Sequence, residues 1–135
     1  MAYKITEIEG IGPTYAEKLA AADITTTDHL LEKAAGKTHR KHLAEETGIS
    51  EKLILSWANK ADLMRIKGVG EEYSDLLEAA GVDTVKELKH RNAANLTTKM
   101  EEVNAEKNLV RSTPSESTVE KWIEQAKDMD AVLTY

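Results

Sequence analysis

The chain has 135 residues and a mass of 14.9 kDa, enough for one compact domain or two small halves sharing a core, and too little for anything larger. Charged residues make up 31% and hydrophobic residues 41%, which excludes a disordered chain and a membrane-embedded one. Eighteen Lys and Arg against 24 Asp and Glu leave a net charge of −6, which excludes a broad basic face; zero cysteines exclude disulfides, thiolate metal sites and cysteine nucleophiles.

Residues 1–7 lack the apolar core of a signal peptide, and no later stretch approaches the roughly 18 unbroken apolar residues of a membrane span. A cytoplasmic protein without a membrane partner is expected. With no Phe, two Trp and four Tyr, the core must rest on Leu, Ile, Val, Ala and Met, which favours helices. The spacing predicts helices over 13–22, 27–35, 38–47, 50–65, 71–80, 84–91, 96–107 and 115–129, an all-α fold. Tyr73, Leu76, Leu77 and Ala80, for example, fall at i, i+3, i+4 and i+7 on one helical face. Thr84 followed by Glu87 reads as a capping box, and Ser50 and Ser115 as N-caps. Gly48 and Asn108 are the residue types that tolerate the left-handed conformation ending a helix.

The chain repeats itself. Ile8-Glu9-Gly10-Ile11-Gly12-Pro13-Thr14-Tyr15 registers with Ile66-Lys67-Gly68-Val69-Gly70-Glu71-Glu72-Tyr73 at an offset of 58 residues. Leu19, Ala22, Ile24, Thr26 and Leu30 then meet Leu77, Ala80, Val82, Thr84 and Leu88 without a gap. Further on, Ile54, Trp57, Ala61 and Met64 meet Val119, Trp122, Ala126 and Met129 at an offset of 65, so short insertions lie between. Two units are expected, 1–60 and 61–135, packed as one domain with pseudo-twofold symmetry. The repeated tryptophans read as core anchors. Since the first Gly-x-Gly turn has no long helix before it, the final helix is expected to pack beside the first hairpin, as the helix from Ser50 does beside the second. Asp23 stands where the second unit has Gly81 and must adopt a left-handed conformation, at a cost of about 1 kcal/mol.

An apolar residue, a filler, Gly-apolar-Gly and an amphipathic helix ending in Ala-Ala-Asp-Ile or Ala-Ala-Gly-Val resemble the helix-hairpin-helix families. The tandem arrangement, over nearly the whole chain, is most similar to an uncharacterised group described as a domain of unknown function, DUF4332. The resemblance implies an all-α fold of two tandem helix-hairpin-helix repeats and a sequence-independent grip on the DNA or RNA backbone. The physics of the turn stands beside it: glycines let the backbone approach a ligand, and the following helix aims unpaired N–H groups and its positive dipole end at the same place. The chain departs from the nucleic-acid-binding pattern in having no Lys or Arg at the start of either helix.

The residues expected at such an interface are Gly10, Ile11, Gly12, Thr14 and Lys18 at the first turn, and Arg65, Lys67, Gly68, Val69 and Gly70 at the second. Lys37, Arg40 and Lys41 form the densest basic run. The first turn is the cleaner anion site, because Glu71 and Glu72 occupy the start of the second helix. Residues 1–60 carry eight Lys and Arg against nine Asp and Glu, whereas 61–135 carry ten against 15, so nucleic acid would meet the first half. His39, His42 and Glu46 share a helical spacing without a second cluster, so no metal is expected; nor is any cofactor or enzymatic activity, since no nucleophile, base and acid group together. Two readings remain. One is a non-enzymatic nucleic-acid-binding module with salt-sensitive affinity; the other is a protein-interaction adaptor whose acidic second half meets a basic partner and whose hairpins are purely structural.

Overall fold

A computed structural model describes residues 3–135; Met1 and Ala2, on which the leader reading begins, lie outside the described residues. After a single 3-10 turn at Ile5–Glu7 come eight helices: α1 Pro13–Ala21, α2 Thr27–Lys33, α3 Lys37–Thr47, α4 Glu51–Leu63, α5 Glu71–Ala79, α6 Val85–Leu88, α7 Ala93–Lys107 and α8 Glu116–Lys127. Among the described residues there is no strand, only an isolated antiparallel bridge between Lys4 and Thr26, and no helix is long and apolar enough to cross a membrane.

Local chemistry explains most boundaries. Ser50 and Ser115 cap α4 and α8 by accepting the amides of Leu53 and Thr118. Gly48 and Asn108 end α3 and α7 at φ of 74° and 50°, and Asp23 matches Gly81 in the left-handed region, at 64° against 96°. Two expected spans shift. The stretch from residue 84 is helical only from Val85 to Leu88, and α7 begins at Ala93 because the Asn92 side chain accepts the amide of Asn95 and caps it. The capping box is also displaced: Thr84 Oγ1 accepts the Glu87 amide, but Glu87 Oε2 accepts from Asp83 N, one residue before the cap. The first half repeats the device with a different residue, since Thr26 Oγ1 accepts from His29 N and His29 Nδ1 accepts from Thr25 N at 3.2 Å.

Buried side chains form two clusters, one running from Ile5 to Met64 and taking in Leu133, the other running from Leu63 to Ala126. In the first, Tyr15 lies edge-on to Trp57 with ring centroids 5.1 Å apart; in the second, Tyr73 tilts onto Trp122 at 5.3 Å. The tryptophans are the expected anchors, but the expected exchange of the final helix does not occur. α8 packs on α6 and α7 of its own half, whereas α4 packs on α2 and α3 and also on α5, beside the second glycine turn as expected. At the N-terminus an extended segment supplies what a leading helix supplies later. Tyr3 O accepts from Thr27 N at 2.9 Å, and at the same place in the second half Asp62 Oδ2, from the end of α4, accepts from Val85 N at 2.9 Å. The N-terminal segment thus holds the start of α2 as the end of α4 holds the start of α6.

Candidate functional site

Both glycine turns have the same backbone. Gly10 and Gly68 have φ of 95° and 98°, and a β-carbon on either would meet the indole nitrogen of Trp57 or Trp122, at 3.4 and 3.1 Å. The turn itself requires these two glycines. Gly12 and Gly70 differ: they cap α1 and α5 with φ of −87° and −106°, and a β-carbon there would meet nothing within 4 Å. Neither left-handed backbone nor crowding calls for glycine at these positions.

The expected amides divide accordingly. Ile11 and Val69 are buried and their N–H groups close the turns onto Ile8 O and Ile66 O, at 3.1 and 3.0 Å, so they are not available to a ligand. In the first turn the amides of Gly12, Thr14 and Tyr15 donate to no protein group among the described residues, and Gly10, Gly12 and Thr14 are exposed. Pro13 has no N–H to offer. No acid lies in the first turn of α1, and Lys18 is exposed with its ammonium 5.9 Å from the centre of the Tyr15 ring.

The second turn is enclosed by acids. Glu71 and Glu72 occupy the first turn of α5, and Glu9, from the first glycine turn, shares a groove with them. Burial chiefly raises the Glu71 carboxyl above its ordinary value, with the charges of Glu9, Asp75 and Glu7 adding. Burial also raises Asp75 and Glu78, while Lys60 opposes both. Lys60 Nζ lies 3.0 Å from Asp75 Oδ1, a buried oxygen without a hydrogen bond of regular geometry. These side chains, with Lys107, line a groove of about 560 Å³ between the halves. Among the described residues no group of three His, Asp or Glu is disposed to hold a metal ion.

Of the expected cations, few face a turn. Arg65 is half-buried and taken up by Asp62 Oδ1 at 2.7 Å and Asp130 O at 3.0 Å. Lys67 is exposed, but its main chain is held on both sides by Gln125, whose Oε1 accepts from Lys67 N and whose Nε2 donates to Lys67 O. Arg40 corrects the sequence reading outright: it is only 4% exposed and its guanidinium donates to Ala34 O, Ala35 O and Thr134 O, so it offers no charge to a phosphate. Lys37 and Lys41 are exposed on α3; Lys37 lines a separate groove with Arg40, Glu51, Lys52, Leu55 and Tyr135, to which neither glycine turn contributes. The basic run thus does not join the hairpin. Gln125 was missed because a glutamine on an amphipathic helix carries no signal in sequence.

Comparison with curated proteins and with solved structures gives no match. A family model does match, over residues 9–129, which takes in both glycine turns and both tryptophan helices. The chain belongs to the family described as Domain of unknown function (DUF4332).

Proposed function

We propose that the chain is a cytoplasmic, non-enzymatic pair of helix-hairpin-helix repeats that holds a nucleic-acid backbone through the first glycine turn alone. One observation carries this reading: the amides of Gly12, Thr14 and Tyr15 donate to no protein group among the described residues, Gly12 and Thr14 are exposed, and no acid lies in the first turn of α1, so a phosphate can approach them. Thr14 adds a hydroxyl there, and Lys18 a cation further along the same helix. The second turn has the same bare backbone but is screened from anions by Glu9, Glu71 and Glu72. Contact is then to phosphates only, without base readout, and binding weakens steeply with salt.

The test is Gly12→Val in a titration of labelled duplex at low salt. Saturable binding that falls at least about fivefold in the variant, with an unchanged melting temperature, supports the reading; this corresponds to roughly one lost hydrogen bond. Absence of saturable binding in the unaltered chain, or equal affinity in the variant, overturns it.

The acidic groove favours a second reading, an adaptor that receives a basic protein segment between Glu9 on one half and Glu71, Asp75 and Glu78 on the other. An oligolysine peptide bound by the unaltered chain and released by Glu71→Gln with Glu78→Gln, alongside no duplex binding, would favour this reading over the first.

A further inference from the structure

Residues 131–135 leave α8 and run back onto the first half. Leu133 is 7% exposed within the first hydrophobic cluster, with Val132 packed against it. Thr134 N donates to Ala35 O at 2.8 Å. Arg40 closes the contact from the other side: Nη2 donates to Thr134 O at 2.6 Å while Nη1 donates to Ala34 O and Ala35 O, at 2.8 and 3.1 Å. The Tyr135 ring lies 5.6 Å from the Arg40 guanidinium carbon, and its hydroxyl donates to Asn59 Oδ1 at 2.8 Å on α4. In the repeat, Arg40 corresponds to Met100, which is fully buried in the second half. Only the first half has a cation there.

Most of these contacts are to main-chain atoms, to one apolar pocket and to the face of one aromatic ring. That is how proteins recognise extended peptides: main-chain pairing gives affinity and alternate side-chain pockets give selectivity. The strap does not fill the site. Beside Tyr135 a groove of about 350 Å³ remains, lined by Lys37, Arg40, Glu51, Lys52 and Leu55; with Arg40 committed to carbonyls, its exposed charges are Lys37 and Lys52 against Glu51.

We propose that this face of the first half is a recognition slot for an extended segment of a partner protein, carrying an apolar residue, a small polar residue and an aromatic in succession with an acidic group beside them. Residues 131–135 are its resident occupant, and the slot opens to such a segment when they leave. The charge around the unfilled groove selects the acidic group, and the seated strap defines the rest. The slot shares no residue with the glycine turn, so failure of duplex binding leaves it standing.

The experiment uses the whole chain carrying Leu133→Asp, with hydrogen exchange at Thr134 N reporting release of the strap. The probe is a fluorescein-labelled peptide with the sequence of residues 130–135 followed by one Glu. In the unaltered chain the covalently attached strap competes at an effective concentration in the millimolar range, so Leu133→Asp should bind the peptide at least about tenfold more tightly. Adding Arg40→Lys, which keeps the charge and removes the planar fork, should lose that gain. A released strap with no saturable peptide binding, or binding indifferent to Arg40→Lys, overturns the proposal. Should Leu133→Asp not fold, Thr134→Pro removes both Thr134 donors to Ala35 O, the amide and the more distant hydroxyl, and permits the same comparison. If Leu133→Asp does not expose Thr134 N to exchange, and Thr134→Pro does not separate the Leu133 methyl groups from the first hydrophobic cluster in nuclear Overhauser spectra, the strap is not held as described and the proposal fails.

Discussion

The indole nitrogen of Trp122 lies 3.1 Å from the point where a β-carbon on Gly68 would stand, and Gly68 has φ of +98°. Gly68→Ala therefore meets both a left-handed backbone penalty and a crowded neighbour. Urea unfolding should show a loss of about 2–3 kcal/mol. At Gly10 the Trp57 nitrogen is 3.4 Å away, an ordinary contact, so Gly10→Ala should lose about 1–2 kcal/mol from backbone conformation alone. Gly12→Ala, with free space and negative φ, should stay within about 0.5 kcal/mol.

Asp62 is buried, accepts the Val85 amide through Oδ2 at 2.9 Å and pairs with Arg65 through Oδ1 at 2.7 Å. Asp62→Ala leaves a buried donor and a half-buried cation without their partner. A cost of about 3 kcal/mol in denaturant unfolding is expected, and about half of that for Asp62→Asn, which keeps an acceptor for the amide.

His29 fills in the first half the role that Glu87 fills in the second, accepting the amide one residue before the cap. His29→Glu should therefore be neutral within about 0.5 kcal/mol at neutral pH, and His29→Leu should cost about 1 kcal/mol, the usual worth of a helix cap. Thermal melts of the two variants check this.

Glu71, Asp75 and Glu78 are all held above the ordinary values of 4.5 for Glu and 3.8 for Asp, first by burial and then by neighbouring acids. A carboxyl raised on folding makes its full contribution below its unfolded value, and loses it as pH rises through the raised native value. Melting temperature should accordingly increase on acidification from neutral pH toward about 5, from this group of carboxyls. Glu71→Gln with Glu78→Gln should flatten that rise; a steeper dependence in the double variant would contradict the acidic grouping of Glu9 with Glu71.

Much of the fold was legible because its signals are local. Ser50, Ser115, Gly48 and Asn108 act on amides and carbonyls a few residues away, and the repeat itself, at offsets of 58 and then 65 residues, marks Trp57 and Trp122 as the matching core anchors they prove to be. The partners of distant groups were not legible. In sequence Arg40 belongs to a basic run with Lys37, His39, Lys41 and His42, and nothing there shows that one of its acceptors is 94 residues away. A repeat likewise shows which helices correspond but not which neighbours each one packs against; the carbonyl of Tyr3, which caps the start of α2, is invisible in residue type. The meeting of Glu9 with Glu71 is of the same kind, since each reads alone as a solvated surface acid.

The last turn of α4 places Ala61 and Met64 in one hydrophobic cluster and Leu63 in the other. That turn cannot fray without loosening both halves, so the two clusters are mechanically geared together despite being separate bodies of side chains. Heat should carry the chain through a single calorimetric peak, and a helix-breaking glycine pair near residue 62 should split that peak into two.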